Sequence, residues 1–216
     1  MSKVRLCYSQ GEEVKFISHL DFLRTMTRTF RRAELPVKYS EGFNPHMVMT
    51  IGLPLSVGTT SVCDCLDVEL TKDMDTDEIK NRINACTPRG IVVREVKKAE
   101  GLKPLFQIDS ALYETSFKTD VPIDVNAYIE KDEIFIEKKS KRKINEVNIK
   151  DFIRNIDVLS TDGKNHTLML HINAGNFSNL KPELVIKSIE AFFNCTATDI
   201  RIERKEIYFD DMTRVF

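Results

Sequence analysis

Apolar and polar positions alternate along the chain in a way that predicts short strands separated by a few amphipathic helices. Lys3 to Gln10 sets Val4, Leu6 and Tyr8 against Lys3, Arg5 and Ser9, as a half-buried strand does. No Pro or Gly interrupts Leu20 to Glu34, and Ser18 with Asp21 has the spacing of a capping box. A helix of about four turns is therefore predicted. At about 100° per residue, Leu20, Leu23, Met26, Phe30 and Ala33 share one arc, the expected buried side. Arg24, Arg28, Arg31 and Arg32 share a separate arc. A loop rich in Pro and aromatics follows, from Leu35 to His46. Met47 to Leu53 and Ser61 to Leu70 predict two strands, Thr76 to Ala85 a helix, and Ile91 to Val96 a further strand. This strand–helix–strand–strand–helix–strand order is that of a ferredoxin-like unit.

The second half repeats the theme less regularly. Leu112 to Lys118 predicts a strand, Ile123 to Glu130 a short helix, and Glu133 to Lys138 another strand. Asp151 to Leu159 reads as helix or strand, and Phe152, Ile153, Ile156 and Leu159 fit helical spacing better. His166 to Asn173 reads as a strand, Leu184, Ile186, Ile189 and Phe193 as a helix starting near Pro182, and Ile200 to Phe209 as a last strand. The expected fold is α+β: two tandem ferredoxin-like (βαββαβ) units, 1–100 and 105–216, joined at Gly101-Leu102-Lys103-Pro104. The second is irregular and carries a basic insertion at 139–160.

Composition narrows the function classes. The 216 residues carry a net charge of −1, so a polyanion site has to come from local clustering of Lys and Arg. The N-terminus lacks an apolar leader core, and no stretch approaches the roughly 18 apolar residues of a membrane span, so no membrane partner is expected. Five Cys without framework spacing suggest free thiols and a cytoplasmic location. Phosphate loops, dinucleotide fingerprints and Gly-x-Ser-x-Gly elbows are missing, and no cofactor or metal is expected.

Three groups of residues carry candidate chemistry. Arg24, Arg28, Arg31 and Arg32 suit charge-assisted bonds to phosphates, against the ordinary alternative of a solvated polar face. Tyr39 and Phe43 could stack on RNA bases, or anchor the loop in the core, with Asn44 and His46 fixing that loop. Lys139, Lys141, Arg142 and Lys143 form a basic run that suits phosphate contact or is an exposed hairpin tip. His19, Asp21 and His46 could act as acid–base groups on RNA, although helix initiation and loop tethering explain them as well. Cys63-Asp64-Cys65 puts two thiols on one strand face, without the second pair that a structural zinc site needs.

Phe16-Ile17-Ser18-His19-Leu20-Asp21, then Arg24, Arg28 and Arg31-Arg32, then Leu35-Pro36 and Tyr39-Ser40-Glu41-Gly42-Phe43-Asn44-Pro45-His46, closely resemble the radical SAM-linked (radical SAM-associated) protein family. That is a domain of unknown function found alone or fused to the C-terminus of radical SAM proteins. The resemblance continues through Leu53-Pro54-Leu55-Ser56-Val57-Gly58 and Asp67-Val68-Glu69-Leu70, and more weakly through Glu137 to Val147, Lys181-Pro182-Glu183 and Arg204 to Tyr208. Glu41 and Met47 stand where the family pattern has Gln and Pro. No Cys-x-x-x-Cys-x-x-Cys motif occurs, so the resemblance implies a partner of a radical SAM protein acting in trans, or a module that presents its substrate. The leading expectation is a non-catalytic module that binds a structured RNA. The alternatives are an RNA-processing or RNA-modifying enzyme using His19, Asp21 and His46, and an adaptor docking its arginine face on an acidic protein.

Overall fold

The computed structural model describes residues 2–139 and 144–216, and the side chains of 137–139 and 144–145 lie outside that description. In chain order the elements are β1 (Ser2–Gln10), α1 (His19–Arg32), β2 (Met49–Ile51), β3 (Thr60–Leu70), α2 (Thr76–Cys86) and β4 (Ile91–Lys98). They continue with β5 (Ile108–Thr119), α3 (Val125–Ile129), β6 (Phe135–Lys139), β7 (Ile144–Asn148), β8 (Ile153–Thr161), β9 (Asn165–Asn173), α4 (Pro182–Phe193) and β10 (Ala197–Phe209). The fold is α+β, with a large mixed sheet and few helices. Strands run β4-β1-β3-β10-β5-β9-β8 across it, and β2 also pairs with β3. Among the described residues every pairing in this sheet is antiparallel except β3–β10, whose parallel register holds only Thr60–Glu203 and Ser61–Arg204. The shortness of β2 allows this joint. β2 covers only Leu66 to Val68 of the β3 edge and leaves the start of β3 for β10.

Three apolar clusters hold the layers together. Phe22, Met26 and Phe30 of α1, with Ile79 and Ile83 of α2, pack on Leu6, Leu66 and Val68 of the sheet. Ile186 and Ile189 of α4 pack with Phe117, Leu168 and Leu170 in the second half. The third cluster sits at the seam, where Cys65 meets Leu105, Ile108, Ile207, Phe209 and Val215. Two buried ion pairs flank this seam. Arg5 donates to Asp67 at 2.7 and 3.1 Å and to the Lys103 carbonyl at 2.8 Å. Arg204 of β10 donates to Asp64 of β3 at 3.0 and 2.5 Å.

Two expectations about the second half are corrected. Residues 153–161 form strand β8, at the edge of the large sheet, so of the two alternatives for Asp151 to Leu159 the strand holds and not the better-fitting helix. Register shifts at Ile153/Asn155 and Val158/Ser160 insert extra residues into the ladder, so apolar positions recur after three residues and mimic a helical period. The segment between β5 and β8 holds α3 and a separate β6–β7 hairpin, so the irregularity begins before 139 and the sheet resumes before 160.

Candidate nucleic-acid interface

Helix α1 begins where its cap predicts. Ser18 is extended (φ −73°, ψ 160°), and its hydroxyl oxygen accepts from the Asp21 backbone N–H at 3.2 Å. In place of reaching the cap backbone, the Asp21 carboxylate accepts from the Ser18 hydroxyl at 2.7 Å and from Arg24 Nη1 at 2.9 Å. The Ser18 bond and then the Arg24 bond hold the Asp21 carboxyl below its usual range. Ser18→Ala is expected to lower stability by about 1 kcal/mol, as loss of a helix cap does, read as a shifted denaturant midpoint at unchanged slope.

The buried stripe of α1 is Phe22, Met26, Thr29 and Phe30, continued by Ala33. This differs from the expected arc at one end: Leu20 is 61% exposed and Leu23 only half-buried. At about 100° per residue Leu20 sits within roughly 40° of Arg24 and Arg31, so the fold has rotated it onto the arginine side. Leu20, Leu23, Arg24, Thr27, Arg28 and Arg31 together line an open groove of about 340 Å³. All four arginines are exposed. Among the described residues only Arg24 pairs with a carboxylate.

The loop after α1 closes into a small hairpin. Its neck holds the Val48 N–H to Lys38 carbonyl bond at 2.9 Å, a Tyr39–Met47 bridge, and the Ser40 N–H to His46 carbonyl bond at 2.8 Å. The Ser40 hydroxyl lies 2.9 Å from His46 Nδ1 and accepts from the His46 N–H at 3.1 Å. His46 therefore tethers the loop to Ser40 through its ring and backbone. Asn44 makes no such bond among the described residues; it is exposed at the tip beside Phe43, whose ring is fully exposed. Gly42 has φ +116° and open space around its α-carbon, so the tight turn itself demands glycine. Arg31 Nε donates to the Tyr39 hydroxyl at 3.3 Å, joining the arginine face to this hairpin.

The three acid–base candidates do not come together. His19 opens α1, whereas the hairpin carrying His46 meets its last turn at Arg31, about 18 Å further along the axis. Among the described residues no hydrogen bond links His19, Asp21 and His46 to one another, and Asp21 is taken by Ser18 and Arg24. The cleft beside His19 encloses only about 10 Å³, the room of a single water. Lys141, Arg142 and Lys143 lie outside the described residues, as does the side chain of Lys139, whose backbone ends β6.

The cysteine pair is held as thiols at neutral pH. Burial pushes the Cys63 thiol up to about 12, with Asp64 adding to the rise, and raises Cys65 further. Among the described residues no three His, Cys, Asp or Glu side chains gather as a metal site would need. None of the described helices is long and apolar enough to cross a membrane.

Sequence reasoning passed over a cavity of about 370 Å³ at the seam between the halves. Leu53, Pro54 and Leu55 wall it on one side, and Asn176, Asn179 and Lys181 on the other. Two glycines let the walls approach. A Cβ on Gly52 would lie 2.5 Å from Cys65 Sγ, and one on Gly175 would collide with the Ile108 carbonyl. The signal available in the sequence was indirect: Leu53 to Gly58 and Lys181-Pro182-Glu183 belong to the segments that carry the family resemblance, yet nothing local joins them.

Comparison with known proteins gives a family. No functionally curated protein matches the chain. One chain in the crystal structure of a Cbf5–Nop10–Gar1 complex aligns over 95% of this chain and 48% of its own, at 13% identity and a TM-score of 0.48. This chain thus spans about half the length of that one. An unknown protein from Galdieria sulphuraria aligns over 94% of this chain and 98% of its own, at 12% identity and a TM-score of 0.28. The family described as "Uncharacterized protein conserved in bacteria (DUF2344)" matches residues 3–182, most of the sequence, and the chain belongs to that family.

Proposed function

We propose that this chain is a non-catalytic, cytoplasmic RNA-binding or substrate-presenting module that serves a radical SAM protein acting in trans. The observation that carries the RNA reading is the Arg31–Tyr39 contact, which sets the aromatic hairpin against the arginine face of α1. Guanidiniums at Arg24, Arg28, Arg31 and Arg32 would bond phosphates, and the rings of Tyr39 and Phe43 would stack on unpaired bases. The link to a radical SAM protein rests on the sequence likeness from Phe16 to His46. We read the scaffold as two tandem ferredoxin-like units, 1–100 and 105–216. The strand orders β4-β1-β3-β2 and β10-β5-β9-β8, each the same permutation of its own unit, support this reading.

The test is a titration of fluorescent single-stranded and hairpin RNAs against the full chain between 50 and 200 mM salt. Affinity is expected to fall steeply with salt. The Arg28→Ala/Arg32→Ala double variant is expected to bind more weakly, with a log–log salt slope shallower by about 1.4, two single-strand phosphate contacts. No measurable affinity at low salt would remove the RNA reading. The exposed Leu20 and half-buried Leu23 within the arginine strip favour a second reading, docking on an acidic protein, which that negative result would leave standing.

A further inference from the structure

We infer that the seam cavity binds a single nucleotide unit, a planar base carrying a phosphate. The site uses none of the α1 or hairpin residues and stands whether or not those bind RNA. Its volume of about 370 Å³ lies within the roughly 300–1,000 Å³ range of small-ligand pockets. Its position between two halves of a fold is also where such pockets concentrate.

The lining divides by chemistry. Leu53, Pro54, Leu55, Leu105 and Ile108 make an apolar floor suited to the face of a flat ring. Asn176 and Asn179 offer amides, which both donate and accept and so suit the edge of a base. Lys181 is the only ionisable side chain among the lining residues, and it is exposed at the rim. One cation without a lining carboxylate selects a ligand with one anionic group, held outside the apolar floor.

The segments that carry the lining also carry two exposed aromatics. Asn176 Nδ2 donates to the Phe106 carbonyl at 3.3 Å, tying the loop before β5 to the loop after β9. Phe106 and Phe177, the one at this bond and the other next to it in sequence, are exposed at 57% and 90%. Both phenylalanines stand on segments that contribute lining residues, Leu105 and Ile108 on one and Asn176 and Asn179 on the other, and each is exposed apolar surface available to a stacked base. The loop that carries Phe177 is itself fixed, by the Gly175 N–H to Ser178 carbonyl bond at 2.9 Å and by the Asn173 amide on the Ser178 hydroxyl at 3.1 Å. The pocket is therefore preformed, which lowers the ordering cost of binding.

Two sources present this chemistry, a free nucleoside monophosphate and an unpaired terminal nucleotide of an RNA. Equilibrium dialysis of the full chain against AMP, GMP, CMP and UMP tests the first. A short RNA hairpin with an unpaired 3′ end, compared with a blunt one, tests the second. At least one of these probes is expected to bind, with the matching nucleoside and inorganic phosphate each at least tenfold weaker. Lys181→Glu is expected to weaken binding tenfold or more and Phe177→Ala several-fold. Both positions are exposed, so both variants should fold, and unchanged thermal unfolding would verify it. Arg28→Ala/Arg32→Ala is expected to leave monophosphate binding unchanged. Binding of monophosphates identifies the free nucleotide as ligand, and preference for the unpaired end identifies the RNA terminus; either supports the site. Binding of no probe at millimolar concentration overturns it. So does binding that neither Lys181→Glu nor Phe177→Ala alters, or RNA binding lost only in the arginine double variant.

Discussion

Asp64→Ala is expected to cost the fold about 3–5 kcal/mol, the penalty for leaving a buried charge unpaired. Asp64 is 1% exposed and Arg204 0% exposed, so neither charge has recourse to solvent. The carboxylate accepts from Arg204, from the Gln10 amide at 2.5 Å and from the Ser61 hydroxyl at 2.8 Å. Without it, Arg204 keeps the Leu53 carbonyl at 2.9 Å as a partner for Nη2, while Nη1 already lacks a partner among the described residues. A guanidinium stays protonated in proteins, so the variant cannot escape by losing the proton. Guanidinium denaturation reads the loss. The double variant Asp64→Leu/Arg204→Met removes both charges and is expected to regain most of the stability, as replaced buried pairs often do. A loss under 1 kcal/mol in Asp64→Ala would mean that water reaches the pair in solution.

Gly175→Ala is expected to cost about 3 kcal/mol, the upper part of the range for overpacking. The conformation of Gly175 is one that other residues adopt, so the effect is one of space alone. The new methyl would run into the Ile108 carbonyl oxygen and lie 3.1 Å from its carbon, and backbone cannot swing aside as a side-chain end can. Relief requires the 174–179 loop to lift from the start of β5, against the Ala174 N–H to Asp109 carbonyl bond at 2.9 Å. Denaturant unfolding gives the size of the loss. A cost of a few tenths of a kcal/mol would show that the loop rides loosely over β5, and the seam cavity would then not be preformed.

Much of the fold was legible because its signals are local. Ser18 and Asp21 marked the start of α1, Pro182 the start of α4, and strict alternation marked β1, β3 and β9. The failure at β8 has the same local origin, since two register shifts convert a period of two into an apparent period nearer three and a half. Leu20 failed differently. It lies at the boundary between two arcs, and the packing of Phe22 on Tyr8, with ring centroids 5.3 Å apart, sets which way the helix rolls. The arginine face was readable because one helix carries it all. The seam was not, because it pairs residues as far apart as Asp64 and Arg204, or Leu53 and Lys181, which no window of sequence joins.

The joint between β3 and β10 also has a consequence for how the chain is made. Asp64 leaves the ribosome 140 residues before the guanidinium that neutralises it. At about 5–20 residues per second, the nascent amino-terminal half waits about 7–28 s with that carboxylate and the thiol of Cys65 uncovered. Its own helices can cover Leu66 and Val68 in that time, so biogenesis proceeds through a state whose flank along the start of β3 is finished only by the last strand to emerge.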